Sequence, residues 1–150
     1  MTEAEKDEIL NFLHRNPMGV ISTVHKSDGA PESALVAFAE TSDFKLIFQT
    51  LTAARKYVNL KTDPRVSFVI GWEIDKQHQI TLQYEGSAME IVNEDSDYQE
   101  YRKIFEQKKT PCTTDFLDNP KSRLFLIEPR WIGYSDYSSD VPRIIENTFD

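Results

Sequence analysis

The stretch KLIFQTLTAARKYVNLKTDPRVSFVIGWE, residues 45–73, sets a basic pair between two runs of β-type residues. Leu46, Phe48 and Thr50 alternate with Ile47 and Gln49, and AARKYVNL then carries Ala54, Val58 and Leu60 at roughly helical spacing. The segment reads strand, helix, strand, with Arg55 and Lys56 at the helix start and Thr50 or Thr52 available to cap it. Free backbone N–H groups and the helix dipole favour an anion at such a place. Two adjacent cations add charge and, through arginine, a planar fork that fits phosphate oxygens. Two solvated residues on an exposed helix face satisfy the same pattern.

Outward from this segment, residues 3–15 place Ile9, Leu10, Phe12 and Leu13 on one face of a helix that Thr2 can cap and Pro17 ends. From Met18 the period becomes two. Strands are expected near 18–25, 32–40, 45–50, 65–73, 79–91, 123–128 and 130–137, with turns at Ser27-Asp28-Gly29, Thr41-Ser42-Asp43 and residues 75–78. Residues 95–108 read as a helix with Tyr98, Tyr101, Ile104 and Phe105 on one side. The fold class is mainly β with flanking helices, a small barrel of six to seven antiparallel strands. One domain spans 1–150, and no repeat or linker interrupts it. The loop 110–122 is the longest irregular stretch and suits a cover over a site or a partner surface.

The chain has 150 residues, enough to bury about two-thirds of its unfolded surface without a disulfide or metal staple. Its net charge of −8 opposes a phosphate backbone and argues against a nucleic-acid partner, pointing to a small-molecule ligand met by a local basic patch. No apolar run approaches the ~20 residues of a membrane span, and the acidic N-terminus lacks the features of a signal peptide. With a single cysteine, Cys112, a cytoplasmic location is expected. His14, His25 and His78 are scattered without ligand spacing, so no metal site is expected, and no Cys-His-Asn order surrounds Cys112. No Gly-x-Ser-x-Gly, P-loop or Rossmann glycine pattern occurs.

The order around the basic pair carries a resemblance. A strand ending in Thr50 is followed by Ala54-Arg55-Lys56, Asn59-Leu60 and Asp63-Pro64-Arg65-Val66. Upstream stand Gly19-Val20-Ile21-Ser22-Thr23 and Asp28-Gly29-Ala30-Pro31-Glu32-Ser33; downstream stand Glu85-Gly86-Ser87-Ala88 and Pro129-Arg130-Trp131. Over residues 9–137 this resembles the pyridoxamine 5′-phosphate oxidase-like family, in its general-stress-protein-like branch, which folds as an FMN-binding split barrel.

The resemblance implies FMN as cofactor, its phosphate on Arg55 and Lys56, with Gln49 and Thr50 at the adjoining strand end. Ser33, Leu35 and Val36 would meet the flavin through the second strand, and Thr81 and Trp131 complete the cofactor-binding set. Trp131 also reads as a barrel-core indole. The family builds its cofactor site at a homodimer interface, and the aromatic residues of 131–137, Trp131, Tyr134 and Tyr137, suit such an interface.

The chain also departs from the family. Pyridoxamine phosphate oxidases carry Arg at the position of Ala34, Lys at that of Ala39 and Gln at that of Thr81. Their substrate-gripping Arg-Leu-His-Asp-Arg pattern is replaced by Gly133-Tyr134-Ser135-Asp136-Tyr137. The reading is an FMN-dependent oxidoreductase using reduced nicotinamide and a small acceptor, not a true pyridoxamine phosphate oxidase. The catalytic residue is not named by the sequence. The alternatives are a non-catalytic flavin-binding or stress-related protein, or the same fold holding deazaflavin or haem. A second basic patch, Arg102, Lys103, Lys108 and Lys109, would be the place for a substrate phosphate.

Overall fold

A computed structural model describes residues 1–74, 79–108, 110 and 114–150. The expected hairpin loop at 75–78 with His78, together with Lys109, Pro111 and Cys112, lies outside the described residues.

The first helix, α1 (Glu3–Arg15), opens on a capping box in which Thr2 accepts from the Glu5 N–H while the Glu5 carboxylate accepts from the Thr2 backbone. Its spacing buries Ile9, Phe12 and Leu13, and Pro17 follows its end. Alternating burial then generates β1 (Met18–Val24) and β2 (Pro31–Glu40), joined by a turn in which Gly29 takes φ +74 and Asp28 accepts from the Ala30 N–H. A tight turn at residues 41–45 leads to β3 (Leu46–Leu51). Phe44 takes φ +66 there, and its carbonyl accepts from the buried Tyr84 hydroxyl, which also reaches the Ile127 carbonyl. The basic pair opens α2 (Arg55–Thr62), and β4 (Arg65–Ile74) and β5 (Gln79–Ile91) follow as an antiparallel pair. Next come α3 (Tyr98–Gln107), the single turn α4 (Thr114–Leu117), β6 (Ser122–Asp136) and β7 (Arg143–Thr148).

The strands lie in the order β3-β2-β1-β4-β5-β6-β7, and β3 also pairs with β6. That pairing closes a six-stranded antiparallel barrel, with β7 as an extra strand outside it. Phe38, Phe48, Phe68, Tyr84, Phe125 and Tyr134 fill its interior. A second apolar cluster lies outside the wall, where Tyr98 and Phe105 of α3 cover Ala37, Ala39, Ile47 and Leu126. This double burial is why β3 is buried without alternation from Leu46 to Thr50.

Two strand expectations change. Residues 123–128 and 130–137 are one strand, because the register shift between Glu85 and Gly86 pairs Gly86 with Pro129 and Glu85 with Trp131, leaving Arg130 as an extra residue. A bulge accommodates the missing proline donor, so Pro129 interrupts the ladder without ending the strand. A side chain at Gly86 would collide with the Glu128 carbonyl, which fixes this close approach. The seventh strand is instead β7, where Ile145 packs into the barrel and the following Phe149 meets Phe44 edge to face at 5.8 Å.

Candidate functional site

The helix carrying the basic pair starts without a side-chain cap: Ala54 is its N-cap residue, and neither Thr50 nor Thr52 serves. Thr52 is drawn aside, its N–H donating to the Lys121 carbonyl, while Ala54 turns back on the Leu51 carbonyl. The first helical N–H groups therefore lack side-chain capping at the point where Arg55 and Lys56 emerge.

Asn59, fully buried, holds α2 to the barrel wall. Its amide nitrogen donates to Thr23 Oγ1 on β1 at 3.1 Å and to Glu32 Oε2 on β2 at 2.6 Å, and its oxygen accepts from the Lys26 N–H at 3.2 Å. Three bonds to two strands and a turn use the amide's capacity almost fully and leave α2 one seating.

Between α2, β1 and β2 lies a cleft of about 430 Å³ lined by Thr23, Glu32, Ser33, Ala34, Arg55 and Lys56. The two cations differ. Arg55 is 79% exposed and sets its guanidinium against the carboxylate of Glu32, which is only 14% exposed. Lys56 is half-buried rather than fully solvated, and burial holds its ammonium below the usual lysine range. Among the described residues it has no carboxylate or hydrogen-bond partner.

The floor of the cleft is a strand with one unpaired side. β2 pairs with β1 over residues 31–37, but with β3 only from Phe38 to Glu40. The Phe38 N–H donates to the Pro17 carbonyl on the β1 side, so by alternation the backbone groups of Leu35 and Ser33 point to the side that β3 leaves open. A flat ligand with donors and acceptors on its rim can dock on such an edge, its anionic end at the start of α2.

The other sequence candidates are not all together. Leu35 is 66% exposed beside the cleft, while Val36 has its side chain buried in the barrel and its backbone groups turned to β1, so it offers the cleft neither. Thr50 and Gln49 take opposite faces of β3. Thr50 is buried with its hydroxyl unpartnered, and Gln49 accepts from the Ser122 hydroxyl at 2.8 Å. Thr81 lies far along β5 from α2, its hydroxyl donating to the Ile70 carbonyl. Trp131 is not a core indole: Ile132 and Tyr134 face the interior, and the Trp131 ring lies over Gly133 on the outer wall. Tyr134 packs on Phe12 inside the barrel at 5.6 Å, which removes it from any surface.

Of the basic patch expected on α3, two members are taken up internally, Lys103 is exposed, and Lys109 lies outside the described residues. Arg102 is held by Glu106 and Asp118, and the Lys108 ammonium is buried against Glu40 and the Leu13 carbonyl. His14 pairs with Glu40 and His25 with Asp28. Among the described residues no group of three or more His, Cys, Asp or Glu could hold a metal ion, and no helix is long and apolar enough to cross a membrane. The sequence reading missed Glu32 and Asn59 as site residues. Their partners lie 23 to 36 positions away, and nothing local marks either residue.

A family model described as pyridoxamine 5′-phosphate oxidase matches residues 5–136. No curated protein matches. Among solved structures, a haem-binding protein from Mycobacterium smegmatis is similar with a TM-score of 0.78 and 16% identity, covering 95% of this chain and 57% of that one. HutZ, the haem storage protein of Vibrio cholerae, gives 0.70 and 17%, covering 82% and 88%. General Stress Protein 26 of Bacillus anthracis gives 0.66 and 22%, covering 95% and 98%. At these identities the likeness is one of fold.

Replacing Asn59 by leucine keeps the volume but strands the Thr23 hydroxyl, the Glu32 carboxylate and the Lys26 N–H. Urea unfolding should show a loss of about 2–4 kcal/mol, more than an exposed substitution on α2 costs.

Proposed function

The chain belongs to the pyridoxamine 5′-phosphate oxidase family, and on that footing we propose that it binds FMN in the cleft beside α2 and works as a flavin-dependent oxidoreductase. The observation that carries this reading is Lys56, a half-buried cation without a counter-charge among the described residues, at an uncapped helix start beside an unpaired strand edge. A phosphate would supply the missing negative charge and accept from the free N–H groups. Lys56 and the α2 N-terminus would hold that phosphate, and the open backbone groups of Ser33 and Leu35 would meet the ring and side chain of the cofactor. When bound, the flavin would supply the redox chemistry between a reduced nicotinamide and a small acceptor.

The reading also includes a dimer. Leu35, Val20 and Val69 lie directly opposite one another on β2, β1 and β4, all exposed, and make an apolar row across the outer wall next to the cleft. A second copy covering that row would bury it and enclose the cofactor, and Trp131 on the same wall would lie within the contact. True pyridoxamine phosphate oxidation is disfavoured, because Arg102 and Lys108 are committed to Glu106, Asp118 and Glu40, which leaves Lys103 alone of that patch unpaired among the described residues. A second reading, haem in place of flavin, draws on the two haem-associated neighbours. Against it, His14 and His25 are both engaged by carboxylates.

FMN titration followed by flavin fluorescence tests the site: Lys56→Ala should weaken binding roughly ten- to a hundred-fold, the value of one charge-assisted hydrogen bond, and unchanged affinity removes the phosphate assignment. Light scattering of the FMN-loaded protein should give twice the 17.4 kDa chain mass; a monomer with flavin bound contradicts the shared site. Under anaerobic conditions NADPH or NADH should bleach the flavin absorption of the reconstituted protein, while pyridoxamine phosphate should produce no oxygen uptake in air. A Soret band on haem addition, with no flavin retained, would favour the second reading.

A further inference from the structure

Arg55 already has an anion. The Glu32 carboxylate stands in the wall of the cleft with one oxygen against the Arg55 guanidinium, 3.8 Å from His25 Nε2, and the other accepting from Asn59 at 2.6 Å. Glu32 cannot withdraw, because its backbone is registered opposite Thr23 on β1 and its carboxylate is held by the buried Asn59. Arg55 can: its side chain is mostly in solvent and is held only at its tip.

We propose that Glu32 is a built-in competitor for the ligand's phosphate, a specificity-determining residue that lets Arg55 join the anion site only by exchanging one negative partner for another. This rests on the reading of the cleft as a phosphate site and adds what limits it. An incoming phosphate meets Lys56, which is unpaired, and Arg55, which is not. For as long as the phosphate is bound, a fixed carboxylate stands beside it. The cleft is therefore poor at holding a bare anion and takes a phosphate only as part of a larger ligand that also docks on the β2 edge. Like-charge repulsion of this kind discriminates between ligands by disfavouring one class rather than by adding a contact for the other.

The test compares FMN with riboflavin, which lacks the phosphate, on wild-type protein, Glu32→Gln and Lys56→Ala. Glutamine keeps the shape and an oxygen for Asn59 while removing the charge. Glu32→Gln should raise FMN affinity about tenfold, about 1.4 kcal/mol, and leave riboflavin affinity within a factor of about two. Glu32→Thr, a neutral residue suited to a strand, serves if glutamine disturbs folding, and the same rise is expected. If FMN affinity stays level or falls in a folded variant, or if riboflavin rises in parallel, the competitor role is overturned. The two readings separate cleanly. A wild-type preference for FMN that Lys56→Ala abolishes but Glu32→Gln leaves unmoved overturns only the role of Glu32. A protein that makes no distinction between FMN and riboflavin overturns the phosphate site and the competitor together.

Discussion

The fold turns on a single demand placed on β6, which must pair with two strands at once. Over Ser122 to Ile127 it is bonded on one side to β3 and on the other, from Leu124, to β5, and this closes the barrel. Closure has a cost in geometry. β3 leans across to β6 and so meets β2 over only three residues, which leaves the first seven residues of β2 without a neighbour on that side. The site is a result of how the ring is closed: where one strand serves the seam, its neighbour loses a partner, and a ligand can take the vacant backbone groups.

The two most buried lysine ammoniums discussed above show how differently one residue type can be used. Lys108 ends α3 with its ammonium over the Phe38 ring at 3.8 Å, bonded to Glu40 and to the Leu13 carbonyl, and so joins three elements in a satisfied arrangement. Lys56 is desolvated without that compensation. A half-buried charge left unpaired costs stability wherever it occurs, and proteins tolerate such costs where a ligand will later offset them. In a chain of net charge −8, a cation that is part-buried and uncompensated among the described residues marks the cleft more clearly than a larger basic surface would.

Much of the architecture was legible because local rules and tertiary packing agree. Thr2 and Glu5 form the cap their spacing implies, the Gly29 turn sits where Asp28 precedes it, and β3 through α2 into β4 follows the periodicities of 45–73. Misreadings came where a long-range partner overrode a local signal. Pro129 looks like a strand end, but Gly86 across the ladder makes room for a bulge. Thr52 looks like a cap, but Lys121 claims its backbone. Residues 143–148 carry a weak alternation, yet the free edge of β6 recruits them. At the site, the basic pair was visible and its setting was not: the pairing of Glu32 with Arg55 and the anchoring by Asn59 join residues whose neighbours in sequence say nothing of each other.

The half-open β2 strand also bears on how the chain behaves when its cleft is empty. A row of unpaired backbone groups beside an exposed leucine is a template for pairing with strands of other molecules, the route by which sheet proteins misassociate. Pro31 stands at the exposed beginning of that strand without an N–H to offer, which discourages an added strand there. That protection ends with Pro31, and the stretch beyond it is the one a bound ligand would cover, so the empty protein would be more exposed to aggregation than the loaded one.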